Sequence, residues 1–385
     1  MHILQVVPTY LPATRYGGPI FSVHSLSRAL VARGHKVDVF TTNIDGPVCG
    51  RVPVGVPTDL DGVRVTYFHS PLLRRLSWAP ALARALKANV RNFDVVHLNS
   101  VFLWPTWVAA REARAAGVPY VVSPRGMLVK ELIGRRHPLR KSAWLRLIER
   151  FTLEHAQAIH TTSDLEGAEL NKFQWRLPRI ANIPNGVEPP EAQGGVPCAE
   201  IARITAAAPL VLYLGRLSWK KGIDRLLVAF RQVERATLAI VGPDDEGLAP
   251  RLLELAASLG IADRVHILSK VVLSSDKERL FASAQLFVLP SYSENFGNSV
   301  LEAMRRALPV VVTTAVGAAE AVRRSGGGLV VGGEPPELSA AIRTLVEDGP
   351  SARAMGERGR SYAIAHFGWP GVAAEMEHLY ENAEK

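Results

Sequence analysis

The sequence predicts an α/β fold built from two doubly wound, Rossmann-like domains that face each other across a cleft. Three observations carry that expectation. Short apolar strands alternate with amphipathic helices, the alternation stops over residues 187–209, and it then starts again. In the first half, residues 3–7, 37–41, 63–68, 95–98, 120–123 and 159–161 have the length and apolar content of buried strands. Residues 21–33, 79–91 and 106–116 between them show helical spacing, and Gly34 and Gly117 follow two of these helices where a C-terminal cap belongs. The stretch 187–209, rich in Pro, Gly and Ala, reads as a linker. The second series places strands at 210–214, 239–241, 265–268, 286–289, 310–313 and 329–331. The chain ends in three helical stretches, 336–347, 351–366 and 369–382, without a strand between them. The expected domains are residues 1–190 and 191–365, with the terminal helix, within 366–385, packing back on the first.

Composition narrows the class. Hydrophobic residues make up 48% of the 385 and charged residues 21%, which excludes a disordered or fibrous chain. The two cysteines, Cys49 and Cys198, form no CxxC, so neither a disulfide framework nor a cysteine metal site is expected. The start of the chain reads as a strand and not as a basic leader, and 307–319 is too short to span a bilayer. A cytoplasmic location is therefore expected. The net charge of +9 is uneven: residues 1–190 carry +11 and the remainder −2. A basic half beside a neutral half points to an anionic partner on one side: nucleic acid, a membrane face or a phosphorylated substrate.

In open parallel sheets ligands bind at the carboxyl ends of the strands, so chemistry is sought in strand-to-helix loops. The richest runs from Pro290 through Glu294, Asn295, Phe296 and Gly297 into a helix starting near Asn298. Asn298 or Ser299 there suits a helix cap, and the open helix end suits phosphate. Glu294 and Glu302 can then accept hydrogen bonds from hydroxyls on either side of a central phosphate. An ordinary dipole-matched Glu beside a solvated one fits the same residues. A second loop, Gly215–Gly222, carries Arg216 and Lys221, two cations suited to a diphosphate, or simply a basic turn. A third, 10–19, holds Arg15, Tyr16, Gly17 and Gly18, where paired glycines permit close backbone approach to a ligand or serve a turn. Neither GxGxxG nor GxxxxGK[ST] occurs.

Taken in order, these loops resemble the GT4 family of GT-B glycosyltransferases over nearly the whole chain. The carriers are Gly17-Gly18, the Gly-Arg-Leu…Lys-Gly run from Gly215 to Gly222, and Glu294…Glu302 as an E-x7-E motif. Smaller matches are His160-Thr161-Thr162-Ser163, Pro184-Asn185-Gly186-Val187-Glu188 and Phe367…Trp369. The resemblance implies transfer of a sugar from a nucleotide-diphosphate sugar, with retained anomeric configuration and neither a metal nor another cofactor. On matching positions, Arg216 and Lys221 would hold the diphosphate and Glu294 would contact the transferred sugar. Glu302 would bind the ribose. Backbone near Phe296 and Gly297, with Asn298 and Ser299 at the helix start, would complete the donor site. Gly18 would admit the diphosphate, and backbone around Lys270 would read the base. Tyr16, Gly17 and Arg125 fall on the acceptor side. Arg125, in Ser123-Pro124-Arg125-Gly126-Met127, stands where relatives commonly carry histidine. It either replaces that polar contact or faces an anionic acceptor.

Residues 125–150 carry a net +6, from Arg125, Lys130, Arg135, Arg136, Arg140, Lys141, Arg146 and Arg150 against Glu131 and Glu149. A flexible cationic loop there suits a pyrophosphate-linked lipid or an anionic bilayer face, helped by the Leu72–Trp78 segment, and the acceptor expected is lipid-linked or a glycan. A solvated basic helix explains the same charges. The functional expectation is assembly of a cell-surface polysaccharide or glycolipid. The rivals are a nucleotide-sugar epimerase or phosphorylase of the same fold and, with no RNP-like or zinc-finger pattern to support it, a non-catalytic nucleic-acid binder.

Overall fold

The computed structural model describes residues 1–15, 17–46, 48–133, 138–192, 196–206, 209–272 and 274–382. They form two units: Met1–Gly186 together with the chain from Trp369 on, and Val187–Gly368.

The strands of the first unit are β1 (His2–Thr9), β2 (Lys36–Thr42), β3 (Ile44–Asp45), β4 (Val48–Cys49), β5 (Pro57–Leu60), β6 (Val63–Phe68), β7 (Val95–Asn99), β8 (Tyr120–Ser123), β9 (Ala158–Thr161) and β10 (Arg179–Asn182). Eight of them make one sheet in the order β10-β9-β8-β7-β1-β2-β6-β5, parallel except for β5 at one edge. The second unit has β11 (Leu210–Leu214), β12 (Thr237–Val241), β13 (Val265–Leu268), β14 (Leu286–Leu289), β15 (Val310–Thr313) and β16 (Gly328–Val331), all parallel in the order β13-β12-β11-β14-β15-β16. Helices cover these sheets, so central strands such as β11 and β14 are buried along their whole length. Continuous apolar runs follow from that burial.

The units divide at Gly186/Val187 and Gly368/Trp369, against the expected 190/191 and 365/366. Packing explains the shift. Val187 lies in the core of the second unit, and its N–H donates to the carbonyl of Phe367 at 2.8 Å. Phe367 in turn meets Phe296 at 6.3 Å between ring centroids. One residue earlier, a Cβ on Gly186 would lie 2.4 Å from the Trp369 ring, so only glycine seats that indole. The terminal helix Trp369–Glu381 then buries Val372, Ala373, Met376, Leu379 and Tyr380 in the first unit's core, against the helix Gly18–Ala32.

Three expectations change. The stretch 187–209 is not featureless linker: it contains the helix Ala199–Thr205, whose Ile201 and Ile204 are buried in the second unit. The described residues of the basic stretch from Lys130 on are helical, with Lys130–Ile133, Pro138–Trp144, a π-helical turn Leu145–Glu149 and Arg150–Glu154, where a flexible loop was expected. Arg135 and Arg136 lie outside the described residues, as does the side chain of Arg140. The third change is at the sheet edges, where β5 and β10 add to the strands expected from sequence.

Glu149 closes the π-helical turn with its carboxylate buried, accepting from Phe102 N–H (2.5 Å) and Trp144 Nε1–H (2.7 Å). Desolvation pushes its pKa from 4.5 up to about 7, and the two hydrogen bonds oppose this only in part. Between those values the native chain holds a proton that the unfolded chain has released, so this group makes stability fall as pH rises through the window. Glu149→Gln keeps both acceptor bonds without the charge. It should be more stable than wild type by about 3 kcal/mol at pH 8 and nearly equal to it at pH 4, read from urea titrations.

Candidate active site

In the second unit the chain leaves β11 toward one edge of the sheet and returns through β14 to build the other. The loops after these two adjacent strands therefore flank the topological switch point, where open α/β sheets bind ligands. They are the two loops that carry Arg216, Lys221 and Glu294.

Backbone contacts stitch the loops together. The carbonyl of Lys220 accepts from Tyr292 N–H (2.7 Å) and Ser293 N–H (3.3 Å). Arg225 stacks on the Tyr292 ring at 4.0 Å and donates from Nε to the carbonyl of Pro290 (2.7 Å) and from Nη2 to that of Ser291 (2.5 Å). At Gly222, φ is +64°, and a Cβ would stand 2.1 Å from the Pro290 carbonyl oxygen. Both the left-handed backbone and the close approach demand glycine. On the far side, Glu294 N–H donates to Ala315 (3.0 Å), Gly317 N–H to the Glu294 carbonyl (3.1 Å) and Ala318 N–H to that of Phe296 (2.8 Å).

This frame brings Lys221 and Glu294 into a direct ion pair, with side chains only 17% and 16% exposed. Arg216 is exposed, and its carbonyl accepts from the buried Tyr213 hydroxyl (2.8 Å). Burial raises the Tyr213 pKa; the charge of Glu294 adds to the rise, and that of Arg216 opposes it. Glu294 and Arg216 thus both act on one phenol. Glu302, on the helix Asn298–Arg305, forms a second pair with Lys277 (2.8 Å). Arg306 donates to the Glu302 carbonyl (2.8 Å) and pairs with Glu278, fixing the far end of that helix.

The helix start differs from expectation. Its N-cap is Gly297, with φ +92°, and makes no side-chain capping bond; Asn298 and Ser299 lie inside the helix. The buried face, Val300, Leu301, Ala303 and Met304, sets the helix axis, and Glu302 projects from the half-buried side. Gly297 therefore supplies no side-chain acceptor to the first turn, where Val300 N–H donates to the Gly297 carbonyl (2.9 Å). The Phe296 side chain is core, so any donor contact it makes comes from its backbone. The Lys270 side chain is engaged apart from these loops, its ammonium donating to Cys198 Sγ (3.3 Å) and meeting Glu200 (3.5 Å), while the expected contact to the base concerned its backbone. A cavity of about 580 Å³, lined by Ser218, Trp219, Arg225, Tyr292 and Glu334 among others, does not include Lys221, Glu294 or Glu302.

In the first unit, Gly17 caps the helix Gly18–Ala32 with φ +70°, and Gly18 is its first residue, accepting from Ser22 Oγ (2.9 Å). Tyr16 lies outside the described residues. Arg125 follows β8 in a turn with φ +56° and is half-buried. Its Nε and Nη2 donate to Asn99 Oδ1 (3.2 and 2.8 Å), and its Nη1 donates to Asn185 Oδ1 (3.2 Å). Lys277, Tyr213, Arg225 and Asn99 escaped the sequence reading, because each meets its partner only through the fold.

Residues 17–186 match the family model of the glycosyl transferase 4-like domain, and residues 200–362 match that of the glycosyl transferases group 1. The chain is a GT4-type glycosyltransferase. An uncharacterized glycosyltransferase of Methanocaldococcus jannaschii is 26% identical over the whole of this chain and 98% of its own length. Among solved structures, sucrose-phosphate synthase from Thermosynechococcus elongatus aligns with a TM-score of 0.78 at 24% identity, covering 99% of this chain and 98% of that one. HepE from Anabaena, in complex with UDP and glucose, aligns with a TM-score of 0.75 at 20% identity and 98% coverage of both chains. These likenesses show the GT-B fold. Family membership removes the reading of this glycosyltransferase as a non-catalytic nucleic-acid binder.

Proposed function

We propose that this glycosyltransferase moves a hexosyl group from a nucleotide-diphosphate sugar to a lipid-linked or glycan acceptor, with retention and without a metal ion. The observation that carries the reading is the Lys221–Glu294 pair at the switch point, beside a helix whose N-cap offers no side chain. On donor binding Lys221 turns from Glu294 to the diphosphate, and Arg216 joins it. The released Glu294 carboxylate then accepts from hydroxyls of the transferred sugar. As the glycosidic bond breaks, charge gathers on the departing diphosphate, where the two cations and the helix dipole are aimed. Glu302, steadied by Lys277, accepts from the ribose. Retention is carried over from the family resemblance. The HepE complex with UDP and glucose is consistent with a nucleotide donor here.

Cell-surface glycan assembly at the cytoplasmic face of a membrane is part of the proposal. No helix among the described residues is long and apolar enough to cross a bilayer. Leu147 (77% exposed) and Phe151 (46%) stand beside exposed Arg146 and Arg150, while Leu72 and Leu73 stand beside Arg74 and Arg75. Apolar side chains set among cations suit an anionic interface. Leu147→Glu/Phe151→Glu should sharply reduce co-sedimentation with anionic vesicles and leave the Tm unchanged; undiminished sedimentation contradicts peripheral contact.

The donor is tested by thermal shift with UDP-, GDP- and ADP-sugars in EDTA. One base should stabilise the chain by about 2.7 kcal/mol at a hundred times its Kd. No shift with any of them contradicts the reading.

A further inference from the structure

We propose that Arg125 is an anion receptor that binds a phosphate group carried by the acceptor. The proposal rests on the glycosyl-transfer reading above and on the family resemblance, which sets Arg125 on the acceptor side.

The argument begins with the groups beneath Arg125. The Nε2 atom of His160 faces the Ile183 carbonyl (2.8 Å) and must donate, so Nδ1 accepts from Ser123 Oγ (2.7 Å). Ser123 Oγ has then spent its proton and accepts from His97 Nε2–H (2.6 Å), and His97 Nδ1 accepts from the Tyr380 hydroxyl (2.7 Å). Tyr380 accepts from Gln5 Nε2 (3.3 Å), and Gln5 Oε1 accepts from Asn99 Nδ2 (2.9 Å). That leaves Asn99 Oδ1 for Arg125. Every proton in this buried chain is placed, and both imidazoles are neutral. Burial lowers both histidine pKa values, that of His160 to about 3, and the Arg125 charge lowers them further.

The network supplies polarity and no countercharge. The carboxylate that acts on Arg125 is Glu166, and it is committed elsewhere. It accepts from Gly126 N–H (2.6 Å), Thr162 N–H (2.9 Å) and Thr162 Oγ1 (3.2 Å). Among the described residues no carboxylate pairs with Arg125, and its bonds to Asn99 and Asn185 use three of five N–H groups. One N–H remains on each terminal nitrogen, the number a bidentate oxyanion takes. A half-buried guanidinium held only by neutral amides is costly unless a ligand brings the charge. The backbone agrees. Arg125 is left-handed, as are Ser100 and Phe102 after the neighbouring strand β7. Strain of this kind persists where the surroundings impose it, and it gathers at binding sites.

Phosphate could arrive on a soluble sugar or on a lipid headgroup. Full-length wild type, Arg125→Gln and Asn185→Asp, checked for equal Tm, are saturated with whichever of UDP, GDP or ADP binds. Each is then titrated with inorganic phosphate, glucose 1-phosphate, and vesicles with and without phosphatidic acid. Wild type should bind phosphate, with glucose 1-phosphate or phosphatidic acid tighter than inorganic phosphate according to the source. Arg125→Gln should weaken that binding at least tenfold and leave nucleoside-diphosphate affinity within twofold. Asn185→Asp, which sets a carboxylate against the intact guanidinium, should do the same. Phosphate binding that is absent in wild type, or unchanged in both variants, overturns the proposal. An equal loss of nucleoside-diphosphate affinity does so too, because the anion is then the donor's. If wild type binds no nucleoside diphosphate, the donor reading itself fails.

Discussion

Lys221→Ala should lower kcat for sugar transfer by about a thousandfold, the cost of removing one preorganised group from developing oxyanion charge in a site of this type. Two effects add. The diphosphate loses a cation as it departs, and Glu294 is left part-buried without the ammonium that positions it. Glu294→Ala should cost a comparable factor, through lost contact with the transferred sugar and a freed Lys221. Because the two side chains hold one another, the double variant should fall little further than either single one. Steady-state kinetics on the four proteins check this, and near wild-type rates in Lys221→Ala and Glu294→Ala would remove the basis of the proposed mechanism.

Gly222→Ala should abolish transfer and destabilise the second unit by about 3 kcal/mol. Roughly 1–2 kcal/mol comes from a left-handed L-residue and the rest from overpacking. The methyl would meet the Pro290 carbonyl oxygen, which cannot retreat without breaking its bond from Arg225. Parting the loops would draw Glu294 away from Lys221, so activity should be lost even well below the melting temperature. Urea unfolding and turnover of the same preparation check both halves; an alanine variant of wild-type stability would show the loop contact to be slack.

The sheets were legible because their strands are buried on both faces. Runs such as Val310–Thr313 and Leu286–Leu289 need no partner information to be recognised. Edges were harder. In β10, Arg179–Asn182, both ends are exposed and only Ile180 and Ala181 are apolar, too short a run to signal a strand. At β5 a signal was present, since Asp61-Gly62 between Leu60 and Val63 is a two-residue hairpin turn, with φ +55° and +82°. The helix start at Asn298 was readable from its loop, but its cap was not. Polar residues there favour capping on average, and only the fold reveals that the chain turns through Gly297. The pairings that organise the site stayed hidden for a related reason. Lys221 and Glu294 are 73 residues apart, and the Lys277–Glu302 pair joins two different helices. Adjacency of β11 and β14 brings the first pair together, and no local spacing encodes it.

The most direct measurement of the central claim is the rate of sugar transfer in excess EDTA, with and without added manganese. If Lys221, Arg216 and the helix start after Gly297 carry the diphosphate, the rate in chelator should equal the untreated rate and manganese should add little. A rate that collapses in EDTA and returns with manganese would contradict the account.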